Sequence, residues 1–289
     1  MINKNIRLKK GIFCISFDLD LLWGRYDLHF HPYLKYLRKN RSVFSQLIKL
    51  FYEEDIPATW ATVGKLFLPA SKNEKYADLL HAPDMIKTLR KYPNQEIGCH
   101  SFSHLEFNKI SKTQAEEEIK NCLRVAHRQG LILKSFIFPR NKIDHLDILA
   151  KHGFQTYRGI QPDFENLPKP LQLLKLFSPF PPPVFTPQIE KQTLLNIPAS
   201  FYFLSSRGKR KYIPKFIIAN KVKRGINKAI DQKRIFHIWT HLEDLVDPKR
   251  FQLFQEMIKY AAAKRKEGEL EIKNMGQIAK IYVKNNRSR

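Results

Sequence analysis

Cysteine is scarce in this chain. Cys14, Cys99 and Cys122 are three among 289 residues, an odd number scattered over unrelated segments, which argues against a disulfide framework and for a reducing, cytoplasmic setting. Cys99 stands beside His100, but adjacent strand positions face opposite ways, so it reads as a buried thiol rather than a ligand. Long hydrophobic runs are missing too: no window reaches the roughly 18 apolar residues of a membrane span. The basic start, Met1 to Lys10, leads through a short apolar run into Asp18 and Asp20, which is not the shape of a signal peptide. No internal repeat is visible.

Acidic residues are the other shortage. Against 51 Lys and Arg there are 27 Asp and Glu, a net charge of +24, which calls for an anionic partner or a solvated, lysine-rich surface. The imbalance is densest from Arg207 to Arg234, where eleven cations face one acid, Asp231. Within it Phe216, Ile217, Ile218, Val222, Ile226 and Ile230 recur at near-helical spacing. That pattern predicts an amphipathic basic helix, suited to an anionic membrane surface or a phosphorylated glycan, or else simply solvated. No recognised nucleic-acid motif accompanies the charge, which disfavours nucleic acid.

With 43% hydrophobic residues the chain can bury a substantial core, and we read residues 1–289 as a single domain. The apolar run Gly11 to Phe17 predicts a first buried strand. Further strands follow at Ala58–Val63, Gln95–His100, Leu131–Phe138, Phe154–Tyr157, Thr193–Pro198 and Arg234–Thr240. Helical periodicity covers Ser42–Glu54, Pro83–Arg90 and the stretch opened by the capping box Ser111 to Gln114. Asp144 caps a short helix ending at Gly153, Asp247-Pro248 opens another to about Ala263, and the tail from Asn274 is helical. Prolines from Pro162 to Pro187 predict an ordered insertion or lid at about 162–190.

Strands alternating with helices imply a parallel sheet. Polar residues collect at the strands' carboxyl ends: Asp18, Asp20, His100, Arg140, Arg158 and His241. A barrel with its chemistry on that face explains the distribution better than an open doubly wound sheet, whose ligands gather at one switch point. His100 and His104 are spaced to share one face of a helical turn and close on one metal ion. Asp18-Leu19-Asp20 offers the third ligand, with the other carboxylate left free for proton transfer. Trp23, just past the first strand, is a candidate platform for a sugar ring.

Ser16-Phe17-Asp18-Leu19-Asp20 resembles the first motif of the polysaccharide deacetylases, and His100-Ser101-Phe102-Ser103-His104 resembles their His-Ser/Thr-x-x-His motif. Ser135 to Asn141 is similar to their third motif, and Phe236 to His241 to the strand carrying their catalytic acid. The resemblance implies a distorted (β/α) barrel of about seven parallel strands. It implies a divalent metal, zinc foremost, held by Asp20, His100 and His104, with Asp18 as general base and His241 as general acid. His237, four residues earlier on the same strand face, is the alternative acid. The family's third motif places an arginine before its proline to hold the catalytic aspartate; here Arg140 follows Pro139 and is the candidate for that role. Tyr157 and Arg158 are candidate substrate-binding residues. The function implied is hydrolytic removal of acetyl from an N-acetylated carbohydrate. Its rivals are hydrolysis of a non-sugar C–N bond on the same fold and a catalytically silent glycan- or anion-binding module.

Overall fold

The computed structural model describes residues 8–160, 177, 178, 180–191, 193–203, 205 and 208–287. Ten strands form one sheet among them. In chain order these are β1 (Gly11–Leu19), β2 (Ala58–Thr62), β3 (Gln95–Cys99), β4 (Ser135–Phe136), β5 (Thr156–Gly159), β6 (Gln188–Glu190), β7 (Leu194–Pro198), β8 (Phe201–Tyr202), β9 (Ile235–His241) and β10 (Leu270–Ile272). The ladder β7-β5-β4-β3-β2-β1-β9-β8 is parallel throughout. Between β7 and β8 the Ala199 amide donates to Gly159 of β5 and the Ser200 amide to His237 of β9. One extended segment therefore joins both ends of the ladder and closes it. Counting β7 and β8 as one position, the ring matches the expected distorted (β/α) barrel. The antiparallel β6 on β7 and the short β10 on the start of β1 are additions that periodicity did not reveal.

The helices are α1 (Leu34–Leu37), α2 (Asn40–Glu53), α3 (Ala77–Leu80), α4 (Pro83–Leu89), α5 (Lys112–Arg128), α6 (Leu146–Lys151), α7 (Lys215–Gln232), α8 (Pro248–Lys266) and α9 (Met275–Arg287). The capping box is formed, Ser111 and Gln114 each bonding the other's amide, and Asp247 accepts from the Arg250 amide to start α8. Asp144 does not cap α6: His145, at φ 53°, precedes that helix, and the Asp144 carboxylate accepts only from the adjacent His145 amide. The fourth strand is also far shorter than its apolar run suggested. Of the Pro-rich insertion, residues 161–176 lie outside the described residues, while Phe185 bridges Ile235. No described helix is long and apolar enough to cross a membrane.

Every residue of β1 is buried, as a strand covered on both faces requires. The period of two sorts its side chains. Phe13, Ile15, Phe17 and Leu19 join the large cluster under the helices, where Phe17 stacks on Trp60 with centroids 4.4 Å apart. Ile12 and Cys14 turn inward, packing with Ala61, Ile137, Leu195, Ile197 and Ile235 against Met275, Ile278, Ala279 and Tyr282 of α9. The terminal helix thus plugs the amino end of the barrel. Two further inward steps along β1 come Ser16 and Asp18, so the interior turns from apolar to polar towards the carboxyl end. β9 repeats this in register, with His237 opposite Cys14 and His241 opposite Asp18.

Candidate active site

Asp20, His100 and His104 converge just beyond the carboxyl ends of β1 and β3, each offering a ligand atom within 4.8 Å of the others. The two imidazoles meet through a loop, not a helical turn: Ser101 and His104 have φ of 59° and 65°. Ring centroids of His100 and His104 are 4.9 Å apart. The loop is held from α5, where the Glu118 carboxylate accepts from the Phe102 and Ser103 amides and the Ser103 hydroxyl. Ser101 Oγ accepts from the His104 amide. Past β1 the chain passes so close to Asp20 that a β-carbon on Gly24 would sit 1.9 Å from its Oδ2. Any side chain there would push the Asp20 carboxylate aside.

His100 Nδ1 lies 2.7 Å from the Ile137 carbonyl, so it donates that proton and leaves Nε2 bare for a ligand. His104 Nε2 stands 3.7 Å from Asp20 Oδ2. Asp20 Oδ1 and His104 Nδ1 are buried with no hydrogen-bond partner, a costly arrangement without a cation. Burial pushes Asp20 up to about 8 and His100 down to about 4, and it lowers His104 as well. An uncharged pair of imidazoles beside a strained carboxylate is the donor chemistry that a divalent ion such as zinc requires.

Asp18 is placed differently. Arg158, fully buried, clamps it with two parallel bonds of 2.6 and 2.8 Å, and also donates to Ser16 Oγ and Asn141 Oδ1. Its guanidinium lies 4.4 Å from the Trp239 ring centroid. Burial would raise the Asp18 carboxyl, but Arg158, with His100 and His241 adding to it, holds it well below the ordinary carboxylate range. Asp18 is therefore an anion at any physiological pH.

His241 approaches from β9, its Nε2 3.9 Å from Asp18 Oδ2. Its Nδ1 lies 3.0 Å from Asp244 Oδ2, and that same oxygen accepts from Tyr202 Oη at 2.6 Å. Burial works to lower the imidazole, yet the Asp244 bond and charge, with Glu243 and Asp20, push it up to about 10. His237 lies one inward step deeper, with no exposed surface and its Nε2 2.9 Å from Ser16 Oγ. Burial pushes it down to about 3, so it is neutral. The two histidines of β9 thus differ in charge, His241 cationic and His237 neutral.

Three other residues lie apart from their expected places. Arg140 pairs with Asp27 and Glu106 at the rim, and the position beside Asp18 belongs to Arg158. Arg158 is consequently spent on the carboxylate rather than turned to a substrate. Tyr157, whose side chain takes the opposite face of β5, is buried against Phe138 and donates to Glu190 at 2.8 Å. Trp23 remains near the mouth, half-buried, donating to the Leu80 carbonyl with Lys65 4.2 Å above its ring. Asp244 and Glu118 were not foreseen. Asp244 carried a faint signal, standing three residues after a histidine at a strand's end.

This fold and constellation define a polysaccharide-deacetylase type of (β/α) barrel. The family model described as polysaccharide deacetylase matches residues 32–156, a stretch that includes His100, His104 and Arg140 but not Asp18, Asp20 or His241. That stretch, under half of the chain, carries the second and third of the motifs on which the likeness rests. No curated protein sequence matches the chain. Among solved structures, a candidate polysaccharide deacetylase from Mycobacterium smegmatis has a TM-score of 0.73 at 14% identity, over 99% of this chain and 96% of that one. PuuE allantoinase gives 0.67 at 13% identity over 93% and 89%. A CE4 family pseudoenzyme from Bacillus anthracis gives 0.54 at 12% over 94% and 66%. At these identities the likeness is one of fold.

Proposed function

We propose that the chain is a metal-dependent amide hydrolase that removes acetyl from an N-acetylated sugar or glycan precursor, in a single catalytic domain. The observation that carries this reading is the buried cluster of Asp20, His100 and His104 with its two unpartnered polar atoms. A divalent ion, zinc foremost, would be held by those three residues and supply Lewis acidity towards a carbonyl oxygen and towards water. The chain's own residues do the rest. Asp18, ionised and fixed by Arg158, accepts at Oδ2 the proton of the attacking water. His241, cationic and oriented by Asp244, gives its Nε2 proton to the departing amine. His237, neutral and walled off below Ser16, has no route to the substrate. Trp23 is the remaining candidate for a sugar platform.

Three buried free thiols accord with a reducing compartment, and we place the protein in the cytoplasm on that ground. The test is product analysis with metal-loaded protein and chelated controls. Acetate release from N-acetylated oligosaccharides supports the reading. Ammonia or carboxylate release from small amides instead would move the chain to non-sugar C–N hydrolysis. Metal binding with no turnover of either kind would leave a silent glycan- or anion-binding module.

A further inference from the structure

Within the basic stretch from Arg207 to Arg234 the amphipathic helix that its spacing suggests is formed, as α7, but its apolar face is not free. In α7 the apolar positions Ile218, Val222, Ile226 and Ala229 are buried, and Gly225 lies so close to β9 that a β-carbon would meet the Phe236 ring at 2.4 Å. This helix is part of the barrel wall. Its outer face stays exposed along its length, at Lys223, Arg224 and Asn227 among others, as do its amino end and the segment before it.

Near that end several aromatics are exposed. Tyr212 is 74% and Phe216 64% exposed, and Phe177 and Phe180 are 53% and 73% exposed. Lys221 of α7 donates to the Ser178 and Phe180 carbonyls and to Ser178 Oγ, fastening the second pair onto the helix that carries Phe216. Phe216 precedes Lys221 by five positions, about 7–8 Å of helix rise and roughly 140° around the axis, so the second pair approaches α7 from a different side than Phe216. Arg210, Lys211 and Lys215 are exposed among these rings, and no acid occurs from residue 208 to residue 230. Arg210 lies 5.5 Å from the Tyr202 ring centroid, and Tyr202 is the residue that holds Asp244 behind His241. The patch therefore borders the mouth of the site.

We propose that this patch docks the protein on an anionic lipid bilayer. Charge complementarity selects the partner: three cations answer anionic headgroups while exposed Phe rings enter the apolar boundary below them. A nucleic acid would meet the same cations with phosphates and the same rings with bases, and the oligonucleotide arm of the experiment separates it. Docking is independent of the hydrolase reading, since it is measured without turnover.

The experiment is co-sedimentation of the full chain with phosphatidylcholine vesicles with and without about one-third phosphatidylglycerol. Each cation near such a surface contributes roughly fivefold in affinity. The triple variant Arg210→Gln/Lys211→Gln/Lys215→Gln should therefore bind about a hundredfold more weakly, and added salt should weaken the parent protein. Phe180→Ser/Phe216→Ser should lose binding that salt does not remove, with circular dichroism unchanged. A control, Lys49→Gln, lies on α2 away from the patch and should bind like the parent. Equal binding to purely zwitterionic vesicles would overturn the proposal. So would an unchanged triple variant, or preference for inorganic diphosphate or an oligonucleotide over vesicles.

Discussion

Replacing Arg158 by Met is the sharpest perturbation of the proton-accepting side of the site. The guanidinium has no exposed side-chain surface and bonds both oxygens of Asp18, itself only 5% exposed. Removing one partner of such a pair leaves a buried carboxylate uncompensated, at a cost of about 3–5 kcal/mol. The pH dependence identifies the cause. In the parent, Asp18 is depressed on folding, so its pairing stabilises the chain above the ordinary carboxylate pKa near ~4 and is lost as pH falls. In the variant, burial acts without its counterweight and raises Asp18. The variant should then be least stable, relative to the parent, near neutrality and recover as pH falls. Urea unfolding at a series of pH values measures the gap, which should be widest around neutral pH and narrow on the acid side. Arg140→Met is the control. That guanidinium is 27% exposed and one partner, Asp27, is 63% exposed, so its loss should cost below about 1 kcal/mol. A gap for Arg158→Met that is pH-independent or no larger than that of Arg140→Met would refute the reasoning.

Asp18→Asn and His241→Ala should each lower turnover by about 10²–10⁴-fold with metal still bound, measured by acetate release beside elemental analysis. His237→Ala should retain turnover per folded molecule and lose about 2–4 kcal/mol of stability on urea unfolding, because it empties a buried site and removes the acceptor of the Ser16 hydroxyl proton. As the acid, His241 must be protonated, so activity should fall as pH rises through about 10. Its pairing likewise stabilises the fold fully below the ordinary imidazole pKa of about 6.5 and ceases to do so above the raised value. Asp244→Asn removes the main cause of that rise and should shift the alkaline limb to lower pH in a pH–rate profile; an unmoved limb would assign it to another group.

Much of this was legible in the chain because the interior of a parallel barrel leaves strong marks. The unbroken apolar run of β1 and the aspartates at its end located the mouth, and Ser111 with Gln114 located the start of α5. The histidine pair was found through its spacing, though for the wrong local reason: two positive-φ residues and the Glu118 clamp, not a helical turn, bring the rings together. Arg158 was misread because the parity of a four-residue strand is fixed by its neighbours. Tyr157 and Arg158 are adjacent, and only the pairing of β5 with β4 and β7 decides which one turns to Asp18. The basic stretch formed the helix that its spacing predicts, while what its apolar face packs on could not be read from the period. The apolar face is committed to β1 and β9, leaving the exposed cations along the helix and the rings near its amino end unaccounted for.

The central claim is that Asp20, His100 and His104 hold one divalent ion. Elemental analysis of purified parent protein alongside Asp20→Ala/His100→Ala/His104→Ala, the variant checked for native circular dichroism, tests it most directly. The account predicts close to one equivalent of metal in the parent and almost none in the folded triple variant. Equal metal in both, or a parent that takes up none from zinc-containing buffer, would contradict it.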